Sequence, residues 1–283
     1  MNAGAGAVQA RPALVFAHAN GFPAGVYRRL LDGLSPRFTV SAVDRFGHDA
    51  RYPVARRWQA LRAELVAHVD TLPAHTRPWL VGHSLGGYLS VLAAAELGER
   101  VSGVVTLDSP LIDGHAGWMV RWGRRFGFDR FLMPLSQTAR RRRYWPDVDA
   151  VQAHFAAKPA FARWQADVLR DYAERGTVAG DARGRTLHFD PDVELRIYRS
   201  LPTQTVVAAA HASRAPIAFI GGTRSREIRY IGLRATRQVV GDRLTMVDGS
   251  HLFPMERPDE TAEAIIAAID AMPPSTVRNG AVG

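Results

Sequence analysis

The chain has 283 residues, 47% of them hydrophobic and 22% charged, a composition that excludes a disordered or fibrous protein and suffices for a buried core without covalent staples. It has no cysteine, which rules out disulfides, thiolate metal sites and a cysteine nucleophile and suits a reducing, cytoplasmic setting. The formal charge is +9, and Lys158 is the single lysine among 36 basic residues; the arginines are scattered apart from the run Arg140 to Arg143, so the excess reads as compositional bias rather than a nucleic-acid or membrane partner.

Residues 1–11 are small and lack the basic start and bulky apolar run of a secretory signal, so they are expected to form a flexible tail. No stretch of about 20 apolar residues follows, so no membrane span is expected. Leu14 to His18 is the first strand candidate and Phe38 to Asp44 the second. Trp58, Leu61, Leu65, Val69 and Leu72 lie three or four apart and make one face of a helix. Trp79 to Gly82 is the third strand. Ser84 to Leu97 is rich in Leu and Ala and stops at Gly98, a helix. Val101 to Asp108 is the fourth strand, Ile217 to Gly221 the fifth and Arg243 to Val247 the sixth. Pro258 to Ile269 opens with proline near a first turn and carries Ala262, Ile265, Ile266 and Ile269, the last helix.

Near-continuous apolar strands alternating with helices imply a doubly wound, mostly parallel α/β sheet covered on both faces. From about Pro110 to Ala215 the alternation breaks. Helix-like pieces there carry Trp118, Trp122, Phe126, Phe131, Trp145, Phe155, Phe161 and Trp164, and no strand stands out. The expected organisation is therefore a core of residues 12–109 and 216–272, a helical insertion over 110–215, and flexible tails at 1–11 and 273–283.

The chemistry concentrates in Gly82-His83-Ser84-Leu85-Gly86, a G-x-S-x-G pattern between a strand and a helix. Such a turn is too tight for side chains two residues either side of the serine, and it holds the Ser84 hydroxyl out at a helix N-terminus, where negative charge is favoured. A serine needs a base to become a nucleophile. His251, in Asp248-Gly249-Ser250-His251-Leu252-Phe253-Pro254 after the last strand, is the candidate, with an expected pKa around 6 to 7. An oxyanion needs donors: the N–H of Leu85, and one from His18-Ala19-Asn20-Gly21-Phe22-Pro23. That second donor is Phe22 if Asn20-Gly21 stands for the usual His-Gly pair, and Asn20 if His18 is that histidine.

These motifs resemble the α/β-hydrolase superfamily over roughly residues 12 to 272. Asp44-Arg45-Phe46-Gly47-His48 is similar to the family's Asp-x-x-Gly-His turn, Phe253 to Pro258 to the stretch after its histidine, and the insertion lies where the family carries its cap. The resemblance implies a serine hydrolase with a helical cap, acting on an ester or related acyl bond of a small, partly apolar molecule through a Ser84 acyl-enzyme. The family's usual Gly-x-x-Asp acid position reads Gly222-Thr223-Arg224-Ser225 here. The replacement acid is then Asp108, at the end of the fourth strand, or Glu227, with Asp248 awkwardly close to His251 along one loop. Arg140 to Arg143 reads as a solvated cap face ahead of an anion clamp, and the cap aromatics as packing that also walls an apolar pocket.

No metal or organic cofactor is called for, and a homodimer stays open. The rival readings are a non-catalytic ligand-binding protein on a hydrolase scaffold, supported by the vacant acid position, and a lyase or cofactor-free haloperoxidase of the same fold.

Overall fold

Each of the six apolar runs forms a strand. In the computed structural model they are β1 (Ala13–Ala17), β2 (Thr39–Ala42), β3 (Trp79–His83) and β4 (Gly103–Leu107), then, past the insertion and its three short strands β5 (Tyr144–Trp145), β6 (Thr177–Ala179) and β7 (Arg185–Leu187), β8 (Ile217–Gly222) and β9 (Leu244–Val247). The structure describes residues 11–113, 141–182 and 184–272. Most of both expected tails, and the part of the insertion with Trp118, Trp122, Phe126, Phe131 and Arg140, lie outside the described residues.

The six long strands pair in parallel in the order β2-β1-β3-β4-β8-β9. The helices, in chain order, are α1 (Arg28–Leu34), α2 (Gln59–Asp70), α3 (Leu85–Leu97), α4 (Val148–Ala156), α5 (Ala166–Arg175), α6 (Pro191–Arg199), α7 (Thr203–Ala212), α8 (Arg226–Ile231), α9 (Arg234–Val240), α10 (Phe253–Glu256) and α11 (Pro258–Asp270). Side chains alternate across a strand, so each strand feeds two layers. Leu14 and Phe16 face one cluster with Leu30 of α1 and Ile265 of α11, while Val15 and Ala17 face the other with Leu65 of α2 and Leu89 of α3. This is why the strands read as unbroken apolar runs.

The insertion differs from the expectation in two ways. It is not purely helical: β5, β7 and β6 form a small antiparallel sheet in that order. Strands of two or three residues are too short to show a period of two. In addition, α7, at the end of the expected insertion, packs on α3 of the main sheet's layers.

The described aromatics of the insertion are mainly packing. Phe155, Phe161, Trp164 and Tyr172 stack on one another with ring centroids 4.6–5.8 Å apart. Ion pairs join this layer to the core, among them Arg28 with Asp171 at 2.8 Å and Arg29 with Asp167 at 2.5 Å; Arg29 also pairs with Asp259 of α11, within the core, at 2.7 Å. Trp58 makes a further tie: its indole N–H reaches the carbonyl of Ile197 at 3.1 Å, which helps offset a left-handed backbone at Arg57 and Trp58, φ 58° and 55°.

Candidate active site

The register of the sheet brings the candidate residues to one edge. His83 pairs with Leu107 and Leu107 with Ile220, so the next residues, Ser84 and Asp108, lie side by side at the carboxyl ends of their strands, and β8 delivers Gly222 next to Asp108. The Ser84 N–H donates to the Leu107 carbonyl at 2.9 Å and the Asp108 N–H to that of Ile220 at 2.8 Å, extending the ladder one step. Ligand sites in open α/β sheets form along this edge.

Ser84 takes φ 52° and ψ −111° at the junction of β3 and α3, a conformation that L-residues rarely adopt. The glycines around it are required by contact. A Cβ on Gly82 would lie 2.2 Å from the Gly86 carbonyl oxygen, and one on Gly86 only 1.9 Å from that of Ala17. The sharp turn is thus pressed against β1. Leu85 is the first residue of α3, so its N–H has no intrahelical partner.

His251 follows β9 in a loop that lies close over β8: a Cβ on Gly222 would meet the Ser250 carbonyl oxygen at 2.4 Å. Buried Glu256 holds this loop by accepting from the Ser250 N–H at 3.0 Å and hydroxyl at 2.6 Å. His251 Nδ1 donates to Asp108 Oδ2 at 2.6 Å. Asp108 also accepts from the Gly222 N–H at 3.0 Å and from the Ser225 hydroxyl at 2.6 Å. Ser225, standing at the family's usual acid position, therefore supports the carboxylate supplied by the neighbouring strand, and its oxygen caps α8 by accepting from the Ile228 N–H.

Glu227 is near but second: its Oε2 is 3.6 Å from His251 Nδ1. Asp248 is turned away, pairing with Arg224 and with Arg257 at 3.5 Å.

The electrostatics follow from this arrangement. Burial opposes charge on both members of the pair. Even so, the hydrogen bond and charge of His251, with the Ser225 and Gly222 donors, hold the Asp108 carboxyl below its usual range. The charge of Glu227 and the hydrogen bond and charge of Asp108 push His251 up to about 9, well above the expected 6 to 7. Asp108, Glu227 and His251 also form the one cluster of metal-ligand type found among the described residues, with donor atoms within 4.8 Å. The 2.6 Å contact inside it is hydrogen-bond spacing; two ligands about 2.1 Å from a tetrahedral cation stand roughly 3.4 Å apart.

The loop after β1 treats the two oxyanion alternatives differently. The Phe22 N–H is taken by the Ala19 carbonyl at 3.1 Å, and its ring packs against Trp164 and Tyr172. The turn Asn20-Gly21 consumes that donor, so Phe22 cannot offer it to a substrate in this conformation. The Asn20 N–H has no such backbone partner among the described residues. His18 is buried, accepts from the Phe46 N–H at 3.0 Å and is held neutral, pushed down to about 4 mainly by burial.

Three tethers escaped sequence reasoning. His83 donates from Nε2 to the His251 carbonyl at 2.8 Å and accepts at Nδ1 from the Tyr27 hydroxyl at 2.7 Å; its place beside Ser84 was the only available signal. Glu256 left a signal only in its closeness to His251. Arg141 is the third: while Arg142 and Arg143 are exposed, Arg141 turns inward to Glu194 at 2.6 Å. The solvated-face reading fails there, since charge runs do not reveal which member turns in.

A sequence model of the alpha/beta hydrolase family matches residues 14–264. The chain belongs to this family. It is 28% identical to 2-(acetamidomethylene)succinate hydrolase of Mesorhizobium japonicum over 264 residues, 92% of this chain and 88% of that protein. It is also 28% identical to pimeloyl-[acyl-carrier protein] methyl ester esterase of Xanthomonas oryzae pv. oryzae over 269 residues, 93% and 96% of the two chains. The crystal structure of E-2-(acetamidomethylene)succinate hydrolase superposes with a TM-score of 0.74 at 26% identity, covering 93% of this chain and 92% of that one. The thioesterase domain from the curacin biosynthetic pathway, at TM-score 0.69 and 15% identity over 90% and 91% of the chains, shares the fold. At the level of the family the protein is an enzyme, a hydrolase of the esterase kind. No helix among the described residues is long and apolar enough to cross a membrane.

Proposed function

We propose that this hydrolase cleaves an ester or related acyl bond of a small, partly apolar substrate through a Ser84 acyl-enzyme. The observation that carries the reading is the His251–Asp108 hydrogen bond of 2.6 Å at the sheet edge, beside a serine in a left-handed strand-to-helix turn. In this reading His251 Nε2 takes the Ser84 proton as the hydroxyl attacks the acyl carbon. Asp108 keeps the proton on Nδ1 and stabilises the imidazolium that forms. The N–H groups of Leu85 and Asn20 bind the oxyanion. The imidazolium then protonates the leaving oxygen, and water, activated by the same base, releases the acid and frees Ser84.

The names of the relatives support the acyl chemistry, one a methyl ester esterase and one a hydrolase of an acetamido compound. A panel of p-nitrophenyl and methyl esters of increasing acyl length tests the proposal, with Ser84→Ala as control. Turnover that vanishes in the control and a burst of alcohol product are expected. Equal activity in Ser84→Ala would overturn it, as would a wild-type protein that binds such esters without turnover.

A further inference from the structure

The oxyanion loop is not held by the core alone. Glu194 of α6, in the insertion, lies with its carboxylate flat against Gly21: a Cβ there would meet Glu194 Cδ and Oε1 at 2.9 Å and Oε2 at 3.1 Å. Gly21 has φ 81°, so the turn needs glycine for its backbone and for this contact. The carbonyl of Glu194 accepts from Asn20 Nδ2 at 3.0 Å. Arg141 locks the carboxylate from the other side at 2.6 Å, and its second terminal nitrogen donates to the Tyr172 hydroxyl at 2.9 Å. Tyr172 in turn packs against Phe22, the last residue of the same turn. The side chains of Arg141 and Glu194 are 14% and 7% exposed.

An ion pair this buried contributes little net stability, because removing two charges from water costs about what their attraction returns. What it supplies is geometry. The charged bond, the Asn20 tether and the Phe22 contact all converge on the two-residue turn that follows β1, the strand paired with the one that ends at the elbow. From this geometry we infer that Arg141 and Glu194 are positioning residues for the oxyanion loop. They hold the Asn20-Gly21 turn so that the Asn20 N–H meets the oxyanion, and they make that donor dependent on the docked insertion. The inference rests on the proposed acyl-enzyme reading. It adds that part of the transition-state machinery is held by the cap layer rather than by the sheet.

A donor that acts on the developing oxyanion, and not on the ground-state ester, changes kcat and leaves KM nearly alone. The test uses the double variant Arg141→Met/Glu194→Gln, which leaves no lone buried charge, and Asn20→Ala, which cuts the tether and keeps the ion pair. Folding is verified by circular dichroism and thermal melting. With p-nitrophenyl butyrate, kcat should fall about 10- to 100-fold in each, at or below the roughly 10²- to 10³-fold cost of deleting one oxyanion donor outright, because the donor is misplaced and not removed, with KM changed by no more than about threefold. The Ki of an alkyl trifluoromethyl ketone, which forms an oxyanion on the serine, should rise by a similar factor. A folded double variant with kcat within about twofold of wild type overturns the inference, as does a fall in kcat with unchanged ketone affinity. If the double variant does not fold, Asn20→Ala decides by the same criteria. The outcomes are separable from failure of the underlying reading. Activity that survives Ser84→Ala discards the acyl-enzyme, whereas Ser84-dependent activity indifferent to these variants discards the positioning role alone.

Discussion

The imidazole of His83 holds the main chain of His251: its Nε2–H donates to the His251 carbonyl at 2.8 Å. Its other nitrogen accepts from the Tyr27 hydroxyl, which itself accepts from the Ala19 N–H at 3.1 Å. One chain of bonds therefore links the start of the oxyanion loop, the elbow and the loop of the proposed base. Burial and the nearby His251 push His83 down to about 3, so it stays neutral with its proton on Nε2. Tyr27→Phe leaves two buried groups unpaired, the Ala19 N–H and His83 Nδ1. It should cost roughly 1–3 kcal/mol of stability in urea titration and lower kcat through loosened placement of both loops.

The acid should be assignable by substitution. Asp108→Asn cannot hold the imidazolium and should reduce turnover about 10³- to 10⁴-fold while the protein still folds. Glu227→Gln removes a charge 3.6 Å from Nδ1 but not the 2.6 Å bond, so most of the turnover at high pH should remain. The reverse ranking in steady-state kinetics would transfer the orienting role to Glu227.

The pH profile follows from the two carboxylates. Burial lowers the His251 pKa, but Glu227 and Asp108 outweigh it and push it up to about 9. Because a base must be neutral to accept a proton, kcat/KM should rise with pH and level off only near 9, falling about tenfold per unit below that. Glu227→Gln should move this limb toward lower pH. The sign for stability is opposite: the protonated imidazole gains its partners only in the fold, so its contribution is complete below the ordinary 6.5 and fades as pH climbs through about 9. Parallel kcat/KM and urea titrations from pH 5 to 10 examine both, and an acid limb at 6 to 7 would show that Glu227 exerts no such pull.

Glu64 offers a stability test remote from the chemistry. Burial, opposed by the Gly47 N–H and reinforced by Asp49, raises its carboxyl to about 7. The fold therefore keeps a proton that the unfolded chain releases near 4.5, and stability drops as pH rises between those values. Glu64→Gln keeps an acceptor for the Gly47 N–H, 2.9 Å away. It should stabilise by roughly 1–2 kcal/mol at pH 8, after discounting for partial exposure, and by little at pH 4.5; equal effects at both pH values would contradict the assignment.

The elbow tolerates no side chain at its glycines. Gly86→Ala places a carbon 1.9 Å from the Ala17 carbonyl oxygen, where only backbone movement can relieve the clash. A loss of about 3 kcal/mol or more, read from the melting temperature, is expected together with loss of turnover.

Much of this protein is written locally. The six strands appear as short apolar runs because both faces of the sheet are covered, and the Gly82-to-Gly86 pattern marks the elbow because close approach admits only glycine there. The proposed base stands out in the sequence because His251 follows the last strand. None of that local information could choose between Asp108 and Glu227, between Asn20 and Phe22, or between a solvated and a buried Arg141. Those choices depend on which groups meet across the fold: the register His83 to Leu107 to Ile220 brings Asp108 beside Ser84 and under Gly222, and α6 arrives from more than 170 residues away to lay Glu194 on Gly21. A side chain's type is a property of the sequence, but its partner, its burial and therefore its pKa are properties of the neighbours that only the tertiary structure supplies.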